Sequence, residues 1–87
     1  MRKVIYLRDA RKALRRYRVD AKRLVEKMAA YAADAASQAN NVKRLKGSQV
    51  LRLRIGDFRV LFTEDADGVQ VIDIGPRAQS MTDGILA

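Results

Sequence analysis

A chain of 87 residues supports one domain, which leaves only roughly 60–65% of its unfolded surface buried and room for one thin core, so a functional site must lie on an exposed face. Eighteen Lys and Arg against ten Asp and Glu leave a formal charge of +8, a field that draws polyanions: nucleic acid, an acidic protein or an anionic membrane surface. The absence of cysteine removes disulfides and thiolate metal sites, and the absence of histidine removes the commonest general base and every Ser-His or Cys-His pair. No apolar run nears the ~20 residues of a membrane span and the N-terminus lacks the apolar segment of a signal peptide, so we expect a soluble, cytoplasmic domain spanning residues 1–87, with no metal, cofactor or membrane partner.

In chain order, Val4-Ile5-Tyr6-Leu7 reads as a short first strand. Asp9 is placed to cap a helix running to about Tyr17, whose apolar positions Ala10, Ala13, Leu14 and Tyr17 follow helical spacing. Asp20 is placed to cap a second helix, where Ala21, Leu24, Val25, Met28, Tyr31 and Ala32 form one stripe and Lys22, Arg23, Glu26 and Lys27 a solvated face. Ser37 to Asn41 reads as a loop, and Val42 to Gly47 as a lead-in to strands. Val50–Ile55 and Phe58–Thr63 are strands joined by Gly56-Asp57, with glycine at the position that needs positive φ. Asp65-Ala66-Asp67-Gly68 makes a second turn into a strand from Val69 to Ile74, which Gly75-Pro76 should stop. The tail from Ala78 to Ala87 carries little pattern. Helices first and strands second imply an α+β fold: two N-terminal helices packed on a small, mainly antiparallel sheet.

Alternate residues of a strand share a face, so Leu51, Leu53 and Ile55 point one way while Arg52 and Arg54 point the other. Phe58, Val60 and Phe62 form the apolar face of the next strand, with Arg59 opposite. A two-residue turn at Gly56-Asp57 then pairs Arg54 directly with Arg59 and Arg52 with Leu61. Two guanidinium groups so placed repel by about 3 kcal/mol at about 5 Å and an effective dielectric of about 20, less once salt screens them. A bridging anion relieves that repulsion, and the planar guanidinium fork suits phosphate. If the second turn sets residue 74 near residue 58, Arg77 joins Arg52, Arg54 and Arg59, with Lys43, Arg44 and Lys46 on the approach as RNA-binding residues.

The stretches Val42-Lys43-Arg44-Leu45-Lys46-Gly47, Leu51-Arg52-Leu53-Arg54-Ile55-Gly56-Asp57-Phe58-Arg59-Val60-Leu61-Phe62 and Val71-Ile72-Asp73-Ile74-Gly75-Pro76-Arg77 together resemble the core of RelE/ParE-type toxins of type II toxin–antitoxin systems, closer to the RelE branch. The resemblance implies a RelE-like fold, an antitoxin that wraps a segment around the toxin in a hetero-oligomer, and one of two targets. RelE-like members cut messenger RNA in the ribosomal A site; ParE-like members poison DNA gyrase. Carried over by position, Arg52 and Arg54 fall where the family places basic residues, and Arg59 and Arg77 match its phosphate-binding arginines, giving a catalytic set of Arg52, Arg54, Arg59 and Arg77. Typical members also carry a tyrosine a few residues after the position of Arg77. Here Ala78 to Asp83 holds no aromatic, and Met81 stands about where that tyrosine is common. An arginine hardly deprotonates at neutral pH, so the residues support phosphate binding better than proton transfer. Three readings stay open: a ribosome-dependent endoribonuclease, a non-nucleolytic toxin acting on gyrase, and a degenerate toxin fold that only binds its antitoxin.

Overall fold

The computed structural model describes residues 2–36 and 41–76. Strand β1 (Lys3–Tyr6) leads into helices α1 (Arg8–Arg16) and α2 (Arg18–Ala33), followed by strands β2 (Val42–Arg44), β3 (Leu51–Ile55), β4 (Phe58–Glu64) and β5 (Gly68–Pro76). The five strands form one sheet in the order β1-β5-β4-β3-β2. Among the described residues, β1 and β5 pair in parallel and the other pairings are antiparallel. The expected α+β architecture is therefore present, with β1 inserted beside the last strand rather than beside its sequence neighbours.

The helices cover one sheet face and meet a single core. Leu24, Met28, Tyr31 and Ala32 of α2, with Ala10 and Ala13 of α1, bury against Leu51, Leu53, Ile55, Phe58, Val60, Phe62, Val69, Val71 and Ile74. Edge-to-face contacts tie the layers: Tyr17 meets Phe58 at 5.1 Å between ring centres and Tyr31 meets Phe62 at 5.0 Å. Val25, expected in the helical stripe, is instead 39% exposed.

Four expectations need correction. Neither aspartate caps its helix by a side-chain hydrogen bond: Leu7 and Tyr17 occupy the cap positions, while Asp9 and Asp20 sit in the first turns, where a carboxylate still favours the helix dipole. Tyr17, with φ −106 and ψ 52, breaks the helical path, so α2 begins at Arg18 rather than after Asp20. Val42-Lys43-Arg44 is a strand in its own right, held by β3. Finally, β5 continues through Pro76. The pair Ile55–Phe58 flanks the two-residue turn and is the hydrogen-bonded pair, which makes Phe58–Pro76 a non-hydrogen-bonded pair on the other side of β4. Proline loses no ladder bond there.

The register of β4 on β5 also differs from expectation. Ile74 faces Val60, not Phe58, because the pairing shifts between Leu61 and Phe62: Leu61 faces Asp73 but Phe62 faces Val71. Ile72 is the extra residue of a β-bulge, and it exchanges the two faces of the strand. Val69 and Val71 point into the core before the bulge and Ile74 after it.

A candidate anion-binding face on the open side of the sheet

The sheet face away from the helices carries the candidate site. Its frame is the β3–β4 hairpin. Gly56 has φ +57 and Asp57 has negative φ, the pattern of a II′ turn, whose twist matches that of the flanking strands. The turn fixes the register as expected: Arg54 faces Arg59, Leu53 faces Val60 and Arg52 faces Leu61. Counting outward from the hydrogen-bonded Ile55–Phe58 pair, Arg54–Arg59 is a non-hydrogen-bonded pair, the position where opposed side chains come closest. Inward neighbours Leu53 and Val60 are fully buried, so neither arginine can rotate into the core.

Strand β2 extends the face. Lys43 stands opposite Arg52, and the two make a second cationic row beside Arg54 and Arg59. Arg52 and Arg59 are half-buried; Lys43 and Arg54 are exposed. Arg44 is not part of this face. It pairs with the buried Leu51, which puts it on the helix side, where its charge helps hold the Glu64 carboxyl ionised. Lys46 lies in the β2–β3 turn, off the sheet face. Arg77, expected beside Arg59, lies outside the described residues.

The bulge brings one residue that the sequence pattern did not assign to the site. Asp73 stands opposite Leu61 on the open face, and its Oδ1 accepts the Ile74 N–H at 2.8 Å. Without a bulge, Asp73 would share the inward face of Val69 and Val71. Nothing in the residue types alone marks the shift; only the change of parity between Val71 and Ile74 does. A cleft of about 230 Å³ opens between α1 and this part of β5, lined by Lys12, Arg16, Tyr17 and Asp73 among others.

A separate polar cluster closes the far end of the helix side. Arg2 Nη1 lies 2.5 Å from Glu64 Oε1, and the Tyr31 hydroxyl donates to Glu64 Oε2 at 2.7 Å. Burial first, then the hydrogen bond and charge of Glu64, push the Tyr31 hydroxyl up to about 12. Burial pushes the Glu64 carboxyl up, but the bonds from Tyr31 and Arg2 and the charges of Arg2 and Arg44 outweigh it and hold the group below the usual carboxylate range. This cluster joins the chain start, α2 and the end of β4. It supports the sheet rather than facing a substrate.

The protein is thus a small helix-backed sheet whose open face carries cross-strand neighbouring cations. The sequence profile of the ParE toxin of type II toxin–antitoxin systems (parDE) matches residues 4–81, and the chain belongs to that family. The fold is that of RelE. The chain is similar to the archaeal RelE–RelB complex of Pyrococcus horikoshii OT3, with 20% identity, a TM-score of 0.73 and coverage of 90% of this chain and 97% of that one. It is also similar to the RelB–RelE antitoxin–toxin complex of Methanococcus jannaschii, with 15% identity, a TM-score of 0.63 and coverage of 92% and 96%. No curated protein sequence matches the chain. Among the described residues, no helix is long and apolar enough to cross a membrane.

Proposed function

We propose that this toxin arrests growth at translation, by setting its open sheet face on messenger RNA held in the ribosome and promoting cleavage of the strand. The cross-strand pair Arg54–Arg59 carries the reading. Two guanidinium groups at the closest cross-strand position present their planar forks side by side on the open face, an arrangement that suits the oxygens of a phosphodiester. Lys43 and Arg52 form the next row and would take the neighbouring phosphate.

In the cleavage step the ribose 2′-oxygen attacks the adjacent phosphorus. The P–O2′ bond forms and the P–O5′ bond breaks, leaving a 2′,3′-cyclic phosphate and a 5′-hydroxyl. Arg59 would stabilise the charge that develops on the phosphorane, and a preorganised donor of this kind supplies roughly 3 kcal/mol. Arg77 is assigned the same role by the family resemblance. Arg52 and Arg54 bind and orient, since arginine is a poor proton acceptor. The 2′-hydroxyl proton passes to water or to a ribosomal group, and the departing 5′-oxygen takes its proton from water or a ribosomal group, because the chain has no histidine for either transfer. The same surface would be covered by a cognate antitoxin in a cytoplasmic toxin–antitoxin complex, as the two similar structures are complexes of RelE with RelB.

The match to the ParE profile favours a second reading, a poison of DNA gyrase that cuts no RNA. Inducible expression in a bacterium separates the two, with 5′-end mapping of a reporter message and plasmid topology read from one culture. New cuts in translated messages, lost in Arg59→Ala and Arg54→Ala variants that still fold, support the nuclease. Arrest with intact messages and trapped gyrase replaces it with the ParE-like activity. No arrest leaves a fold that only binds its antitoxin.

A further inference from the structure

We propose that the outer face of α1 is a second polyanion-binding surface, separate from the sheet face, and that it grips the phosphate backbone of a double-stranded nucleic acid. The inference does not rest on the proposed cleavage reaction. Arg8, Arg11, Lys12 and Arg15 are all exposed, and at 100° per residue they fall within an arc of about 100° on the side of the helix away from the buried Ala10 and Ala13. Helix α1 packs on β5 and β1, whereas Arg54 and Arg59 belong to the β3–β4 hairpin, so the two cationic groups lie on different elements.

The arrangement works against the helix that carries it. Arg8 with Lys12, and Arg11 with Arg15, are like charges four residues apart, and each such pair destabilises a helix. Arg8 is the first helical residue, where the positive end of the dipole repels a cation, and Leu7 at the cap position provides no side-chain bond. Only one acidic residue, Asp9, lies in the first turn. None of the four makes either of the ion pairs Arg2–Glu64 and Arg23–Asp20; Arg11 reaches the Tyr6 carbonyl, at 3.5 Å, and Lys12 shares a cleft with Asp9 and Asp73. A local choice that opposes its own element marks a functional surface.

The chemistry of the arc selects the partner. Three of its four cations are arginines, whose forks bind phosphate bidentately. It presents no apolar or aromatic side chain, whereas a protein partner docks through a core depleted in charge and anchored by such groups. Four cations along about 10 Å of helix axis need a dense array of anions. A duplex carries one charge per about 1.7 Å of its axis and supplies it.

Fluorescence anisotropy with a labelled mixed-sequence RNA duplex, over a series of salt concentrations, tests the assignment. The triple variant Arg8→Gln/Arg11→Gln/Arg15→Gln should bind the duplex more weakly, with the slope of log K against log salt reduced by about 2–3, since each lost phosphate contact removes about 0.9. The matching Arg→Lys triple should keep the slope. In an Arg54→Gln/Arg59→Gln background, whose sheet face has lost its paired cations, the α1 triple should still lower the slope by the same about 2–3, which keeps failure of this surface distinct from failure of the sheet face. The Gln triple should melt at an equal or higher temperature in low salt; if it does not fold, the single variants Arg11→Gln and Arg15→Gln decide, each lowering the slope by about one. An unchanged slope in folded variants overturns the proposal. So does a triple variant that loses affinity for poly-glutamate while retaining the duplex, which would make α1 a docking site for an acidic protein.

Discussion

Single residues set the cost and the pH range of this fold. The Tyr6 hydroxyl is enclosed and has no hydrogen-bond partner among the described residues. An enclosed, unpaired hydroxyl costs about 1–3 kcal/mol, so Tyr6→Phe should stabilise the protein by about 1 kcal/mol in denaturant unfolding; a loss of stability would show that the hydroxyl is bonded in solution. Glu64 acts in the other direction. Its folded-state pKa is lowered, so its contribution to stability is complete above the usual carboxylate range and is lost as pH falls through the depressed value. Tyr31, raised to about 12, contributes fully below about 10 and loses that contribution as pH rises through about 12. Glu64→Gln should lower stability at neutral pH by about 1–2 kcal/mol and flatten the acid limb of the stability curve. An acid limb of parental steepness in that variant would assign the pH dependence to other carboxylates.

At the scale of elements, the β3–β4 hairpin was legible because period-two alternation and a glycine turn agree in it. Leu51, Leu53 and Ile55 on one side and Arg52 and Arg54 on the other leave one register that buries the leucines, and the structure adopts it. Its consequence is measurable: Arg54→Thr should raise stability by about 0.5–1 kcal/mol in low salt, with the gain shrinking as salt is added. A decrease would mean that Arg54 is already compensated. Strand β2 was not legible. Three residues with two charges carry no alternation, and β2 exists only because β3 offers an edge. Its pairing also separates Lys43 from Arg44, since adjacent residues of a strand face opposite ways. Gly68 closes a turn pattern in the sequence, but its role is steric: a Cβ there would lie 2.8 Å from the Lys3 carbonyl oxygen, so β1 can approach β5 only over a glycine. Gly68→Ala should displace β1 and cost about 1–3 kcal/mol, read as a lower melting temperature with faster hydrogen exchange along β1. An unchanged exchange pattern would show that the sheet edge yields without loss.

For the whole molecule, charge and size act together. A net charge of +8 on 87 residues opposes the compact state, and moderate salt should raise the melting temperature before any polyanion is added. A melting temperature independent of salt would mean that the surface cations are already paired.

Composition and local pattern by themselves determined the α+β class, the two helices, the hairpin, the cationic open face and the resemblance to RelE/ParE toxins, because each depends on spacing within a few residues or on total charge. Only the tertiary structure decided the parallel place of β1, the existence of β2, the helix starts at Arg8 and Arg18, and the bulge at Ile72 that turns Asp73 to the open face. These are settled by which strands meet and where the core closes. Such long-range packing leaves no periodic trace in the residues it arranges.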